Sequence, residues 1–494
     1  MTYKTCGELF SGIDCTIIGN PEEPVSGIAY RSDAVKPGDA FCCIVGLKAD
    51  GHSFAQDAID RGARVLIVER KVYLADATEV TEVVVKDSRK AMARLASRFY
   101  GNPSEAFSLV GVTGTNGKTT TTYLVNHIAQ VLGNKTGLIG TVGIEIEGQH
   151  RPSSHTTPES PDLQKLFAMM RDEGCGVVSM EVSSHALDLE RTWATKFAVT
   201  AFTNLTQDHL DYHKTFEAYF SAKARLFSKD YPAKRVINID SAWGKELLKR
   251  TSANEDVIVT TGFDPSAQIH PVEVEYGAAQ TRVELSVRGT SYTVTYPLVG
   301  RFNVENVMTA FGVALQLGYA PSAIVEALRD VPAVPGRLQR VSVENDGGIS
   351  VYVDYAHTPD ALEKAIASVS ALESEGKTIV VFGCGGDRDS GKRPIMGKAA
   401  LAADYAVVTS DNPRTEDPQA IIEDIVAGMS EGSDHYEVVA DRHEAIARAI
   451  ALAQPGDAVL IAGKGHEDYQ IIGSEKHHFD DREVAAEELK KVFG

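Results

Sequence analysis

The hydrophobic pattern changes character along the chain. Up to about residue 105, short apolar segments such as Ala40–Val45 and Arg64–Val68 alternate with helix-like stretches such as Phe54–Arg61. The turn residues Lys36-Pro37-Gly38-Asp39 separate them, and together these segments predict a small α/β domain. From Ser108 the runs are longer and more regular. Buried strands are predicted at Ser108–Val112, Gly137–Ile139, Gly176–Met180 and Ala198–Phe202, with a helix over Thr121–Leu132 and helical stretches between the later strands. That order implies a mostly parallel sheet with ligands gathered at the C-terminal ends of its strands. Val272–Leu298 alternates apolar and polar positions, as a half-buried antiparallel element does. Helices over Asn303–Leu317 and Ala320–Asp330 lead into Val331-Pro332-Ala333-Val334-Pro335-Gly336-Arg337, a proline- and glycine-rich boundary. Beyond it, Ser350–Val353, Thr378–Phe382, Tyr405–Val408, Tyr436–Val439 and Ala458–Ile461 are strand candidates separated by helical segments, the pattern of a second open α/β sheet.

Composition narrows the function classes. A chain of 494 residues exceeds one hydrophobic core, and roughly two to four domains are expected. No apolar run approaches the ~18 to 20 residues needed to span a bilayer. The first residues, with Glu8 and Asp14 and no basic-then-apolar order, do not read as a signal peptide. The net charge of -19 argues against a nucleic-acid scaffold, since a duplex binder presents a basic face. The six cysteines, Cys6, Cys15, Cys42, Cys43, Cys175 and Cys384, show no metal-finger spacing and fit reduced core residues of a cytoplasmic protein.

The strand at Ser108–Val112 runs into Thr113-Gly114-Thr115-Asn116-Gly117-Lys118-Thr119-Thr120 and then into a helix. A buried strand, a glycine-bearing turn and a helix N-terminus leave backbone N–H groups aimed at one small volume, where a phosphate fits. Lys118 would neutralise phosphate charge and Thr119 would hold Mg²⁺. The first glycine of the general phosphate-loop pattern is replaced by Val112, and glycine comes instead at Gly114, so a tighter turn is expected.

Other strand ends carry chemistry too. Glu181 closes the run Val177–Met180 and opens Val182-Ser183-Ser184-His185, where a carboxylate can reach a metal on the γ-phosphate. Asp208-His209-Leu210-Asp211-Tyr212-His213 follows the strand ending at Phe202 and could position metal or substrate. Ala222-Lys223-Ala224 reads, on chemistry alone, as a solvated helical lysine. Three later strand ends carry Gly383 to Asp389, Ser410 to Pro418 and Ala462 to Glu467. They present Arg388, Arg414 and Glu467 among flexible glycines, a mixed-charge cluster suited to an amino acid.

These motifs, with Gly300-Arg301-Phe302-Asn303, Asn306 and Asp354-Tyr355-Ala356-His357-Thr358-Pro359, resemble in number and order those of the Mur ligases, the ATP-dependent amide-forming enzymes of peptidoglycan precursor synthesis. The resemblance covers essentially the whole chain. It implies an α/β protein of three domains: an N-terminal UDP-substrate domain (1–105), a central phosphate-loop ATPase domain with a mostly parallel sheet (106–337) and a C-terminal Rossmann-like amino-acid domain (338–494). It also implies ATP and Mg²⁺ as cofactors, UDP-N-acetylmuramoyl-L-alanyl-D-glutamate and meso-diaminopimelate as substrates, and a cytoplasmic monomer with no nucleic-acid partner and no membrane insertion.

Residue by residue, the family pattern puts Gly114, Thr115, Asn116, Gly117, Lys118, Thr119, Thr120, Asn306, Arg337, Asp354 and His357 on the nucleotide. It puts Ser32, Thr156, Thr157, Ser183 and Arg191 on the UDP-substrate, and Arg388, Asp411, Asn412, Pro413, Arg414, Gly463 and Glu467 on diaminopimelate. Lys118, Glu181, His209 and Lys223 are the expected catalytic residues, and Thr119, Glu181, His209 and Lys223 the expected metal ligands. Lys223 matches the family's carbamylated lysine, which overrides its reading as a surface residue. Gln339 stands where the family has an acidic residue. A folylpolyglutamate synthetase shares the ATPase core, and a motor or regulatory phosphate-loop NTPase shares the loop. The Asp411–Arg414 sequence favours diaminopimelate, whose distal carboxylate Arg414 can pair with; a surface ion pair of Arg414 with Glu416 or Asp417 is the alternative.

Overall fold

The computed structural model describes residues 4–46, 49–72, 74, 80–153, 155–251, 257–277, 280–372, 376–429 and 434–494. Two residues of the alternating segment, 278 and 279, lie outside it. Contacts group the chain into two units: residues 1–111, 134–199 and 225–233 form the first, and residues 112–133, 200–224 and 234–494 the second.

The first unit opens with a five-stranded sheet in the order Cys15–Ile18, Thr81–Val85, Val65–Val68, Asp39–Cys42, Gly27–Ala29. Only the pairing of Cys15–Ile18 with Thr81–Val85 is antiparallel. The strands Val65–Val68 and Asp39–Cys42 are buried at every position, which explains why they read as unbroken apolar runs. Cys15–Ile18 alternates in burial and lies at the sheet edge, so its short pattern was not predicted as a strand. Further along, Thr136–Ile139 pairs in parallel with Val177–Glu181 and antiparallel with Ile144–Ile146.

The second unit carries the helix Lys118–Val131, which begins a turn earlier than the apolar pattern suggested because Gly117, at φ +86°, serves as its N-cap. Lys234–Asn238 and Ile258–Thr261 pair in parallel, and three antiparallel strands, Ile269–Tyr276, Thr281–Val287 and Thr290–Tyr296, follow, as the alternation over Val272–Leu298 predicts. The helix Arg301–Leu317 packs against Lys118–Val131.

A six-stranded sheet ends the chain, ordered Gln339–Val341, Ser350–Asp354, Ala458–Ala462, Thr378–Phe382, Tyr405–Val408, Tyr436–Val438. Five of its strands match the five predicted. The sixth, Gln339–Val341, is an antiparallel edge of only 3 residues and lacked a period long enough to read. Separate apolar clusters cover the two faces of this sheet, built around Val380, Phe382 and Leu460 on one side and Val351, Val381 and Ile461 on the other. The parallel strands end together, and that places the loops after Phe382, Val408 and Ala462 side by side.

Candidate active site

The phosphate loop is locked by its own backbone. Gly114 sits at φ +154°, where an added Cβ would come within 1.9 Å of Thr203 Oγ1, so no larger residue fits. Thr115 N donates to Asn204 O at 2.9 Å and Asn116 N to Asn204 Oδ1 at 2.9 Å. At Gly117 the limiting neighbour is Asn306 Oδ1, 2.3 Å from where a Cβ would stand, while Asn306 Nδ2 is oriented by Asn303 Oδ1 at 3.1 Å. Asn306 is thereby brought against the loop. Thr119 and Thr120 are buried in the first helical turn.

Two lysines converge on one carbonyl. Lys118 Nζ donates to Gly114 O at 3.1 Å and to Thr115 O at 2.8 Å, and Lys223 Nζ donates to the same Gly114 O at 2.7 Å. Lys223 is only 2 % exposed and lies 4.5 Å above the Tyr219 ring. Burial, and then the charge of Lys118, hold its amine well below the usual lysine range. A neutral, buried amine at this position can react with carbon dioxide, and that chemistry was not legible from spacing alone.

Asp208, His209, His357 and Lys392 form the electrostatic surroundings. His209 adopts a left-handed conformation at φ +54°, and its Nε2 lies 3.3 Å from Asp208 Oδ2. Burial alone would raise the Asp208 carboxyl, but His209, His357, Lys392 and Lys118 together bring it down to about 2. His357 donates from Nδ1 to Tyr355 O at 2.8 Å, and burial followed by the Lys392 charge pushes it down to about 4. Arg337 reaches from the domain boundary to Thr119 Oγ1 at 3.0 Å and stacks 4.6 Å over Tyr355. Asp354 is buried, accepts from Leu338 N at 2.7 Å and is raised by that burial. Gln339 Oε1 accepts from Gly336 N at 2.9 Å, so the residue that departs from the family pattern caps the boundary turn.

The loops at the end of the C-terminal sheet make a second polar centre. Arg414 Nη1 donates to Gly386 O at 2.7 Å, and Arg388 flanks Gly385 beside it. Among the described residues no carboxylate lies within ion-pair distance of Arg414, because Glu416 is held by Arg393 at 2.8 Å and Asp417 caps the helix Pro418–Val426. The Arg414 guanidinium is half-buried and lowered by burial and by Arg388. Asn412 Nδ2 donates to Glu467 Oε2 at 2.9 Å, and Asn412 Oδ1 accepts from Lys464 Nζ at 3.1 Å. Asp411 O accepts from Gln470 Nε2 at 2.6 Å, Pro413 O accepts from Glu416 N at 3.1 Å, and Gly463 N donates to Asp354 O at 3.0 Å.

In the first unit, Glu181 is 1 % exposed and its carboxylate is gripped by Thr141, from N to Oε1 at 2.8 Å and from Oγ1 to Oε2 at 3.1 Å. Thr156 Oγ1 touches Thr141 Oγ1 at 3.0 Å, while Thr157 Oγ1 donates to Glu181 O at 2.9 Å and accepts from Ser183 N at 3.1 Å. Arg191 donates to Thr157 O at 2.9 Å and to Glu159 at 3.0 Å. Ser32 and Glu159 both line a cavity of about 360 Å³ with Tyr30, Phe41 and Arg89. Thr156, Thr157, Glu181, Ser183 and Arg191 thus form one contiguous polar set, with Ser32 across a neighbouring cavity.

Sequence reading placed Asp208 in a motif without giving it a role of its own, and it missed Tyr219, Asp360, Lys392 and Lys464 as site residues. Lys464 alone carried a usable signal, since it lies between the glycines of Gly463-Lys464-Gly465.

Three family models match in succession: the Mur ligase family catalytic domain over residues 24–100, the Mur ligase middle domain over 112–314 and the Mur ligase glutamate ligase domain over 336–465. The chain belongs to the Mur ligase family. A UDP-N-acetylmuramoyl-L-alanyl-D-glutamate--2,6-diaminopimelate ligase of Clostridium botulinum is 41 % identical over 98 % of this chain and 99 % of its own, and one of Clostridioides difficile is 44 % identical over the same shares. A solved structure of a ligase of that name has a TM-score of 0.70 at 34 % identity and covers 99 % of both chains. A MurF ligase from Thermotoga maritima in complex with ADP shares the fold at a TM-score of 0.62 and 21 % identity, covering 94 % of this chain and 98 % of its own. Like other Mur ligases, this chain is an ATP-dependent amide-forming ligase. Among the described residues, no helix is long and apolar enough to cross a membrane.

Proposed function

We propose that this Mur ligase joins meso-2,6-diaminopimelate to the D-glutamate of UDP-N-acetylmuramoyl-L-alanyl-D-glutamate in the cytoplasm, as a monomer, during peptidoglycan precursor synthesis. The observation that carries the choice of amino acid is Arg414, a half-buried guanidinium held by two backbone carbonyls, Gly386 O at 2.7 Å and Asn412 O at 3.5 Å, with no carboxylate within ion-pair distance among the described residues. A ligand carboxylate completes it in a two-pronged, charge-assisted bond. L-Lysine has only hydrogens at that carbon and would leave the guanidinium desolvated and unpaired.

A carboxylate is too poor an electrophile to take an amine directly. Transfer of the γ-phosphoryl group of ATP to the D-glutamate carboxylate gives an acyl phosphate and ADP. The neutral amine then attacks the carbonyl carbon, phosphate leaves, and the amide forms. We assign the phosphate-loop N–H groups and Lys118 to the ATP phosphates, with Asn306, Arg337, Asp354 and His357 around the rest of the nucleotide. Ser32, Thr156, Thr157, Ser183 and Arg191 are assigned to the UDP-substrate. Arg388, Asp411 to Arg414, Gly463 and Glu467 are assigned to the amino acid.

Among the described residues no three His, Cys, Asp or Glu side chains cluster as a protein-only metal centre would require. Oxygen donors of the kind Mg²⁺ prefers are nonetheless present in each unit: Glu181 in the first, and in the second Thr119, with a carbamate on Lys223 turning a cation into two further oxygens; these residues and His209 are the ones we assign to Mg²⁺. The depressed Lys223 amine supports that modification. When bound, Mg²⁺ offsets the negative charge that builds up as two anions approach. We retain residues 1–105, 106–337 and 338–494 as the three functional domains.

The test is a product-mass assay with ATP, the UDP-muramoyl dipeptide, and meso-diaminopimelate, L-lysine and L-glutamate offered side by side. A single tripeptide product containing diaminopimelate is expected. ADP release without ligation would indicate an NTPase instead, and ligation of L-lysine at an equal rate would remove the proposed selectivity.

A further inference from the structure

Lys464 is 0 % exposed, at the end of the strand Ala458–Ala462. Its ammonium reaches three side chains from two loops: Asn412 Oδ1 at 3.1 Å, Asp411 Oδ1 at 3.6 Å and Glu467 Oε2 at 3.6 Å. Asn412 Nδ2 in turn donates to Glu467 Oε2 at 2.9 Å. The backbone that carries Lys464 is fixed from behind, because Arg442, paired with Asp481 at 2.7 Å where neither is exposed, donates to Ala462 O at 3.0 Å.

Asp411 and Glu467 are therefore two carboxylates sharing one buried site. Two such groups without a cation between them cannot both stay ionised at little cost. The groups facing Glu467 are Asp411, Asn412 and Arg414 from one loop, Lys464 from its own, Tyr469 from the strand Tyr469–Ile472, Tyr355 from the loop after Asp354, and Arg442 from the helix Arg442–Leu452. Burial and then Asp411 raise its carboxyl, while Lys464, Asn412 and Arg414 pull it back down.

We propose that Lys464 is a positioning residue for the incoming amino acid, holding Asn412 and Glu467 in register and balancing the paired carboxylates Asp411 and Glu467, so that the pocket offers an anion to a substrate ammonium. This rests on the reading of these loops as the amino-acid site. Lys464 does not touch the reacting atoms. It acts through Glu467 and Asn412.

The test compares the native enzyme with Lys464→Met and Asp411→Asn, measuring kcat and KM for each substrate between about pH 4.5 and about pH 9. For the amino acid that the native enzyme ligates, Lys464→Met should raise KM by about tenfold or more near pH 7. Its kcat should change by less than about threefold, and KM for ATP should not change. The acid-side fall of 1/KM should move to higher pH in Lys464→Met, where a cation is lost, and to lower pH in Asp411→Asn, where a competing carboxylate is lost. A merely structural lysine would not split the two variants in opposite directions. An unchanged amino-acid KM in folded Lys464→Met, or equal losses for all three substrates at every pH, would overturn the proposal. Should Lys464→Met fail to fold, Asp411→Asn decides: a downward shift supports it and any other outcome overturns it. If the native enzyme ligates no amino acid at all, the reading of the loops as an amino-acid site falls, and this inference with it.

Discussion

Asn116 and Asp360, separated by 244 positions in the chain, are joined by a hydrogen bond of 2.9 Å from Asn116 Nδ2 to Asp360 Oδ2. The donor belongs to the phosphate loop, and the acceptor sits in the first turn of the helix Pro359–Leu372. Asp360 also pairs with Lys364 at 3.1 Å, a partly exposed contact worth little by itself. The bond ties the phosphate loop to the helix Pro359–Leu372, which follows the strand Ser350–Asp354 of the C-terminal sheet. Asp360→Ala or Asn116→Ala should each raise KM for ATP by about fivefold, the equivalent of about 1 kcal/mol for one hydrogen bond to a charged group. Steady-state kinetics with ATP varied checks this; unchanged KM in both variants would show that the bond does not position the loop.

Lys118→Ala should lower kcat/KM for ATP by about a thousandfold or more, because the loop N–H groups remain while the cation on the transferring phosphate is lost. Its two bonds to Gly114 O and Thr115 O are local, so the thermal unfolding midpoint should move little. Near-normal turnover in a folded variant would remove the nucleotide from this loop.

Lys223 should be found carbamylated by intact mass measured under bicarbonate. Burial and the charge of Lys118 hold its amine well below the usual lysine range, which favours the neutral form that adds carbon dioxide. Lys223→Ala should lose activity, and a small carboxylic acid in the buffer should restore part of it. An active Lys223→Ala variant would count against the carbamate.

His357 should make the fold sensitive to mild acid. Its pKa falls from 6.5 to about 4 on folding, so between those values the unfolded chain binds the extra proton and stability rises with pH. The contribution is present above 6.5 and is lost as pH falls towards 4, a total of at most roughly 3 kcal/mol for a shift of this size, and less to the extent that the ring stays in contact with solvent. Denaturant titrations of native protein and His357→Gln at about pH 4.5 and about pH 7 read the difference. The variant should lose less stability on acidification, and equal losses would show that His357 does not titrate in this window.

Arg414→Ala should reduce kcat/KM for meso-diaminopimelate by about a hundredfold to a thousandfold, because the distal carboxylate loses its partner, and should leave use of L-lysine unchanged or higher, because no guanidinium is then left unpaired. An unchanged preference would remove Arg414 as the selector.

The sequence by itself determined every element whose signal is local. The run Val177–Glu181 is buried at each position and reads as a strand without help, and the phosphate loop is legible because its glycines, lysine and threonines act through adjacent backbone. Strand ends and their charges also picked out the C-terminal loops, and the resemblance then placed Asn306 and Arg337, which no period could single out. What only the tertiary structure decided is which distant groups share a low-dielectric site. Lys223 looks like any helical lysine until burial and the neighbouring Lys118 lower its hold on a proton. Lys464 looks like a loop residue until the loop of Asp411 and Asn412 closes over it beside Glu467. A charge's behaviour depends on the solvent it has lost and on the charges within a few ångströms. Both are set by chain segments far apart in sequence, so they emerge only when the sheets form.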